Sequence, residues 1–336
     1  MDTNSLKYPT KITDQRWPCD TRPVVSICCI TYNHKDFIAE AIDSFLMQET
    51  NFRVEIIIHD DASNDGTADI VKDYQKRHPQ IIKTICQLDN QYSKGVSSLI
   101  TTLFEATGMY AALCEGDDYW ICNHKLQKQV EYMRNKGNVS ICFHDAYAEV
   151  YDDNRDLIER KPLEYQTLPR EKLVFDDFAK GFAPHTASCL VLNRHEVFEW
   201  LIKRKLRFAK TVFYALLENG EIAGFLPERM SVYRIHPGGV FSCIPFKKQL
   251  EMSNTGLWAN RKYFSSKHHK MLFSVKLMEN YIALLRIQIL DKKFGEAIIS
   301  VVKMINLLFV PVCIPVIRIF TGRFTAFLKN RAIGVD

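Results

Sequence analysis

Two pairs of adjacent aspartates have the clearest chemical potential in this sequence of 336 residues. Asp60-Asp61 and Asp117-Asp118 each follow a short apolar run. Neighbouring carboxylates repel each other, and a shared divalent cation is the usual reason for them to lie together. Hard oxygen ligands suit magnesium or manganese, and both ions also bind phosphate oxygens. The two pairs therefore predict a site for a divalent cation and a diphosphate.

Alternating strand and helix patterns are expected to position these pairs. Residues 24–31, 54–58, 81–85 and 110–114 are apolar runs typical of buried strands. Helical spacing follows several of them, and Asp36 is expected to cap the first helix. The alternation predicts an α/β fold with a mixed, mostly parallel sheet. Ligands bind beyond the carboxyl ends of such strands, so both pairs are expected to face one crevice.

The chain is expected to have three parts. Residues 1–22 are polar and contain prolines, which predicts a flexible N-terminal arm. Residues 23–245 carry the strand and helix alternation, with a polar, loop-like stretch at 151–170. Residues 246–336 form a helical C-terminal region that is both apolar and basic.

The apolar stretch at 297–320 contains charged residues and prolines, unlike a segment that spans a bilayer. We expect contact with a membrane surface through residues 297–331, because four basic residues would then lie near lipid headgroups: Arg318, Arg323, Lys329 and Arg331. Packing of this region on the core as a helical subdomain is the alternative.

Composition narrows the functional classes. The net charge of +5 suits anionic small molecules or an anionic membrane, and no nucleic-acid motif accompanies it, so we expect no nucleic-acid partner. The ten cysteines form no C-x-x-C, and the N-terminus lacks the apolar core of a signal peptide. The expected location is the cytoplasm, with peripheral contact at the inner face of the cell membrane. Rossmann, P-loop and H-E-x-x-H motifs are missing as well.

The segments around the aspartates resemble family-2 glycosyltransferases of the GT-A fold. The resemblance covers residues 24–243 and rests on motifs in the family's order: Val25 to Asn33, Asp60 to Thr67 (D-D-x-S-x-D-x-T), Glu115 to Trp120 (a D-x-D type motif), Lys125-Leu126 with Gln129, and Met230 to Val240. It implies a GT-A-like nucleotide-diphospho-sugar transferase domain with a C-terminal helical extension.

The resemblance also implies roles for individual residues. The nucleotide-sugar pocket would be lined by Thr31, Tyr32, Asn33, Asp60, Asp61, Lys94 and Asp117, with Asp61 bonded to the base edge. A manganese or magnesium ion would be held by Asp118, Asp117 and His236. A solvated loop lysine is the alternative for Lys94, and a structural role is the alternative for His236.

Members of this family typically invert the anomeric centre and use an aspartate base at the start of a helix. Here that position falls near Phe208-Ala209-Lys210, where no acid is present. Asp145, Asp176 and Asp177 are the candidates for a relocated base. The implied function is sugar transfer from a nucleotide-diphosphate sugar to a glycan or lipid-linked acceptor in surface polysaccharide biosynthesis. A non-catalytic nucleotide-sugar binder or assembly protein and a nucleotidyltransferase are the alternatives.

Overall fold

The chain forms two compact units in the computed structural model, which describes residues 5–163, 165, 172–239 and 244–308. One unit comprises Met1–Phe178 and Phe182–Cys243. The other comprises Ala179–Gly181 and Ile244–Asp336. The second boundary lies close to residue 245, where the sequence analysis places the end of the α/β part.

A mixed sheet is the frame of the first unit. Its strands within the described residues are β1 (Thr10–Lys11), β2 (Val25–Thr31), β3 (Glu49–Thr50), β4 (Val54–Asp60), β5 (Ile82–Cys86), β6 (Tyr110–Glu115), β7 (Tyr119–Trp120), β8 (Val139–Tyr151), β9 (Leu157–Pro162), β10 (Lys172–Leu173), β11 (Leu190–Leu192) and β12 (Ile222–Ile235). β1 pairs with β3. In that part of the chain the other ten form one sheet with the order β10-β12-β8-β11-β6-β2-β4-β5, with β7 on β12 and β9 on β8.

The half of the sheet formed by β6, β2, β4 and β5 is parallel, as predicted. β2 lies between β4 and β6 and is buried on both faces, which is why its sequence is apolar without alternation. Ile27 and Cys29 join the core with Ile56 and Ile58, whereas Cys28 approaches the carbonyl of Thr102 on the opposite face. The carboxyl ends of these strands, and with them both aspartate pairs, therefore reach the same edge of the sheet.

Helices cover the sheet of the first unit: α1 (Ile38–Leu46), α2 (Thr67–Arg77), α3 (Ser98–Glu105), α4 (Lys125–Lys136), α5 (Phe175–Ala179), α6 (His195–Lys203) and α7 (Ala209–Leu217). α1 buries Ile38, Ala41 and Phe45 on one face. The expected capping of α1 by Asp36 was wrong, because Phe37 occupies the N-cap and Asp36 pairs with Arg155 instead.

Two polar stretches carry more structure than their sequences indicate. Within residues 1–22, expected to be a flexible arm, Thr10–Lys11 pairs with Glu49–Thr50, and the buried Gln15 amide donates to the Thr50 carbonyl at 2.7 Å. Within the loop expected at 151–170, Leu157–Pro162 forms β9 on the edge of β8. All of its side chains are exposed, so no apolar alternation marks it as a strand.

The second unit consists of helices in its described part: α8 (Phe246–Tyr263), α9 (Lys267–Leu290) and α10 (Phe294–Leu308). Within the described residues, none of the helices combines the length and apolar character needed to cross a membrane. Arg318, Arg323, Lys329 and Arg331, expected near lipid headgroups, lie outside the described residues.

Candidate active site

The loop after β2 is tied to the loop after β4. Asn33 has a φ of 57°, the left-handed region, which asparagine tolerates better than most residues. Its N–H donates to Ser63 Oγ at 2.8 Å, and its Oδ1 accepts the N–H of Asn64 at 3.0 Å. The N–H of Lys35 donates to Asp65 Oδ2 at 3.0 Å. Residues 60–67, which the resemblance makes the predicted nucleotide-binding segment, therefore fix the backbone of the loop that follows Thr31.

The first aspartate pair is largely engaged by backbone N–H groups. Asp61 is buried, and its two carboxylate oxygens accept from Gln91 N at 2.7 Å and Tyr92 N at 3.0 Å. Asp60 Oδ2 accepts from Ser63 N at 3.0 Å, whereas Asp60 Oδ1 is buried with no hydrogen-bond partner among the described residues. The pair thus holds the two loops that border the pocket, and Asp60 keeps one oxygen available.

The second pair begins with Asp117, on which two imidazoles converge. His236 Nε2 lies 3.2 Å from Asp117 Oδ2, and His34 Nε2 lies 3.6 Å from the same oxygen. Burial alone would raise the pKa of Asp117, but the hydrogen bond to His236 and the nearby His34 lower it below the ordinary value. Asp117 Oδ1 is buried and has no partner in the described part of the chain.

Asp118 is more deeply enclosed than Asp117. It is 1% exposed, and its Oδ1 accepts the N–H of Arg234 at 2.9 Å. Burial, together with Asp117 and Glu115, holds the pKa of Asp118 well above its ordinary value. His185 Nε2 lies 3.5 Å from Asp118 Oδ2, and burial lowers the pKa of His185 to about 4. Asp118 therefore braces the strand β12 and lies behind Asp117.

Glu115 adds a third carboxyl group to this pair. It ends β6, and Thr186 Oγ1 donates to Glu115 Oε1 at 3.3 Å. Burial and the charge of Asp117 raise the pKa of Glu115 to about 7. Gly116 separates the two acids, and a Cβ at this position would lie 2.7 Å from Thr31 Oγ1. Only glycine lets β6 approach the end of β2 this closely.

Arg234 supports the site from β12. It donates through Nη1 to the Asp117 carbonyl at 2.9 Å and pairs with Glu40 on α1. Its guanidinium lies 4.2 Å from the centre of the Tyr119 ring. Trp120 is 1% exposed, which leaves no face for a sugar, and its Nε1 donates to the Ala187 carbonyl at 3.0 Å.

The candidates for the base are placed differently from one another. Asp145 is fully buried, with Oδ1 bonded to Ala146 N at 2.9 Å and Oδ2 3.1 Å from Arg229 Nε, so it is closed to an acceptor. Asp176 and Asp177 are half-buried in the first turn of α5, where Asp177 Oδ2 accepts Val174 N at 3.0 Å.

α7 does begin at Ala209, so the missing acid is a feature of the helix start where the family places its base. Lys94, also assigned to the pocket by resemblance, is half exposed, and its Nζ lies 3.0 Å from Asp89 Oδ2. The roles of Asp176, Asp177 and Lys94 stay predictions.

The residues around Asp117 fit a divalent cation, although no group of three or more His, Cys, Asp or Glu side chains forms a preassembled metal cage among the described residues. Magnesium and manganese ions at diphosphates need only one or two carboxylates, since phosphates and waters complete the shell. His236 Nδ1 faces the Pro237 carbonyl at 3.1 Å while Nε2 faces Asp117. A neutral imidazole has one N–H, so a cation beside Nε2 would satisfy both contacts.

His34, Glu115 and His185 are site residues that the sequence analysis did not identify. His34 and Asp117 are separated by more than eighty residues in the chain, and only the sheet topology brings them together. The sequence signal for His34 was its place directly after the Thr31-Tyr32-Asn33 segment. The signal for Glu115 was its place at the start of the acidic motif.

Known proteins resemble this chain in sequence and in fold. An uncharacterised protein of Mycobacterium tuberculosis is 32% identical over 255 residues, 76% of this chain and 67% of that protein. The Escherichia coli UDP-Glc:alpha-D-GlcNAc-diphosphoundecaprenol beta-1,3-glucosyltransferase is 34% identical over 127 residues, 38% of this chain and 47% of that enzyme.

A mannosyltransferase structure from Pyrobaculum calidifontis, in complex with GDP-Man and Mn2+, shares the fold with a TM-score of 0.51. It is 16% identical, and the match covers 94% of this chain and 84% of that one. The sequence model described as Glycosyl transferase family 2 matches residues 26–199, just over half of the chain. The chain therefore belongs to glycosyltransferase family 2 and is a glycosyltransferase with a GT-A-like fold.

Proposed function

We propose that the enzyme transfers a sugar from a nucleotide-diphosphate sugar, with inversion, to a glycan or lipid-linked acceptor in surface polysaccharide biosynthesis. The observation that carries the donor assignment is the position of Thr31 between the two aspartate pairs. Asp61 N donates to the Thr31 carbonyl at 3.0 Å on one side, and Gly116 packs against Thr31 on the other. One ligand at this edge of the sheet would therefore meet both pairs.

The nucleotide is assigned to the side of the crevice formed by the loops after β2 and β4. Tyr32 is 40% exposed directly after β2, which offers an aromatic face to a base. Thr31 Oγ1 and Asp60 Oδ1 are buried without partners among the described residues, so the Thr31 hydroxyl could donate a hydrogen bond to the nucleotide and the Asp60 carboxylate could accept one from it. Asp61 is assigned here a supporting role, because both of its oxygens already hold the loop at Gln91 and Tyr92.

The diphosphate and its cation are assigned to the Asp117 side. Asp117 and His236 would hold a manganese or magnesium ion, and Asp118 would support them through its bond to Arg234 N. When bound, the cation would neutralise charge on the leaving diphosphate. The Pyrobaculum mannosyltransferase is in complex with both GDP-Man and Mn2+, which supports a divalent cation for this enzyme.

The acceptor class is inferred from the relatives and from the second unit. The Escherichia coli relative is named for an acceptor linked to diphosphoundecaprenol, a lipid carrier. Residues 1–243 carry 29 basic and 34 acidic residues, whereas residues 244–336 carry 15 basic and only 5 acidic residues. Six large apolar side chains of α10 are exposed: Phe294, Ile298, Ile299, Val301, Val302 and Ile305. A net basic charge in the sequence of this unit, together with an apolar helix face, suits an anionic membrane surface, where a lipid-linked acceptor would reside.

Nucleotide release tests the donor and cation assignments. Purified enzyme with manganese and a panel of UDP and GDP sugars, with diphosphoprenyl-linked acceptors, is expected to release nucleotide diphosphate and give a glycosylated product detectable by mass. Asp117→Ala should lower release at least about a hundredfold, because the leaving group loses its charge compensation. Asp89→Ala, on an exposed loop, is the control. Release that survives Asp117→Ala would sink the cation assignment, and retained anomeric configuration in the product would rule out inversion.

Flotation with liposomes tests the membrane contact. The double variant Ile298→Gln/Val302→Gln should reduce the fraction of enzyme bound to anionic liposomes, because it removes two apolar side chains one helical turn apart. The control Leu157→Gln/Ile158→Gln changes two equally exposed apolar residues of β9 and should bind as the wild type does. Equal flotation of all three proteins would reject contact through α10.

A further inference from the structure

His34 is a partly buried histidine, 14% exposed, whose ring faces Asp117 beside the ring of His236. Its ring and that of His236 lie edge to face, with centroids 6.2 Å apart, and both Nε2 atoms face Asp117 Oδ2. His34 Nδ1 is buried and has no hydrogen-bond partner among the described residues. A buried ring nitrogen without a hydrogen bond costs free energy, which calls for a functional reason.

The backbone on both sides of His34 is held by the predicted nucleotide-binding segment. Asn33 is bonded to Ser63 and Asn64 before it, and Lys35 N is bonded to Asp65 after it. The His34 carbonyl accepts the N–H groups of Phe37 and Ile38, which starts α1. The ring is therefore placed by five hydrogen bonds in its neighbourhood, and the segment that borders the nucleotide also orients a side chain at the diphosphate.

We propose that His34 is a further ligand of the donor's divalent cation, through Nε2, so that the site presents two imidazoles and one carboxylate. This inference rests on the cation site proposed above. Nitrogen ligands favour first-row transition ions, whereas Mg2+ prefers oxygen. The site would accordingly bind Mn2+ in preference to Mg2+.

The present distances agree with this role without a preformed cage. Separations of 3.2 and 3.6 Å between the imidazole Nε2 atoms and Asp117 Oδ2 are near the spacing of neighbouring ligands on one cation, since two ligands about 2.1 Å from an octahedral ion lie about 3 Å apart. The unpartnered Asp117 Oδ1 leaves that carboxylate an oxygen for the cation or its waters.

Pulsed electron paramagnetic resonance of the Mn2+-loaded full chain tests the inference without relying on turnover. The wild type is expected to show modulation from two imidazole nitrogens, and His34→Ala from one, with Mn2+ affinity at least about tenfold weaker. Mg2+ affinity should change no more than about twofold, because Mg2+ draws on oxygen ligands and water. His34→Gln restores a polar side chain but no imidazole, so its Mg2+ affinity and stability should stay near those of the wild type while the second nitrogen signal is lost.

His124→Ala is the matched control, since this histidine is about half exposed beside Glu49. Unchanged nitrogen modulation in His34→Ala would overturn the inference, and equal losses of Mn2+ and Mg2+ affinity would assign His34 a purely structural role. Failure of the proposed function looks different: the wild type would bind no Mn2+, or Asp117→Ala would bind it as well as the wild type.

Discussion

The two aspartate pairs have the same sequence and both lie at the carboxyl end of a parallel strand, yet their carboxylates face different surroundings. Both carboxylate oxygens of Asp61 accept hydrogen bonds from the backbone N–H groups of Gln91 and Tyr92, so this carboxylate holds a loop in place. The imidazoles of His34 and His236 both face Asp117 Oδ2, whereas Asp117 Oδ1 has no partner in the described chain. The charge of this carboxylate is therefore available to a cation. Identical dipeptides thus acquire one structural and one ligand-directed role from what surrounds them.

The largest effect on stability is expected from Asp61→Ala. The substitution removes the acceptor of two backbone N–H groups, and charge-assisted bonds of this kind contribute enough that we expect a loss of about 3 kcal/mol in the free energy of unfolding. Urea unfolding measures it, and Mn2+ affinity of the folded protein should hardly change. Asp73→Ala, at an exposed pair with Arg77, is the control and should cost less than about 1 kcal/mol. A small decrease in the free energy of unfolding for Asp61→Ala, or a large decrease in its Mn2+ affinity, would contradict the proposed difference between the two pairs.

Like Asp61, Lys125 is a buried ionisable residue whose hydrogen bond lies within the protein, and the pH dependence of stability measures the effect of its burial. Its Nζ donates to Gln129 Oε1 at 2.8 Å and lies 4.1 Å from the centre of the Trp120 ring. Burial lowers the pKa of Lys125 from 10.5 to about 8. Between pH 8 and pH 10.5, Lys125 is protonated in more of the unfolded chains than of the folded ones. The contribution of Lys125 to the free energy of unfolding therefore rises with pH.

Lys125→Met should remove that dependence. The stability of the wild type relative to the variant is expected to increase by about 2 kcal/mol between pH 8 and pH 10. Urea unfolding of both proteins at the two pH values gives the difference, in which the tyrosines and cysteines shared by both cancel. A constant difference would mean that Lys125 keeps its proton when folded.

The sequence predicted the parts of the fold that are buried on both faces and missed those that are exposed. β4 and β6 are mostly apolar and almost entirely buried, and their ends locate the two aspartate pairs. β9 has no buried side chain, so nothing in its pattern separates it from a loop. Asp36 is a good capping residue by type, but Arg155, more than a hundred residues away, takes its carboxylate.

The site followed the same rule. Motifs located Asp117 and His236, but local sequence could not show that their side chains, 119 residues apart, converge, or that His34 joins them. Nor could it separate Asp61 from Asp117, because the partners of Asp61 are backbone groups of the Gln91 turn. The resemblance to the family indicated roles for these residues, and the contacts in the folded chain distinguish between residues to which it gave similar roles.

The smallest effect is expected from Lys94, which the resemblance placed in the nucleotide-sugar pocket. Its side chain is 54% exposed and pairs with Asp89, itself 71% exposed. Such pairs contribute about 0.5 kcal/mol or less, so Lys94→Ala should leave stability nearly unchanged and shift the KM for the donor no more than about twofold. Asp89→Ala removes the same ion pair and should behave identically. If Lys94→Ala alone raised the KM for the donor tenfold, the lysine would contact the donor. The diphosphate would then bind at the first aspartate pair as well as at the second.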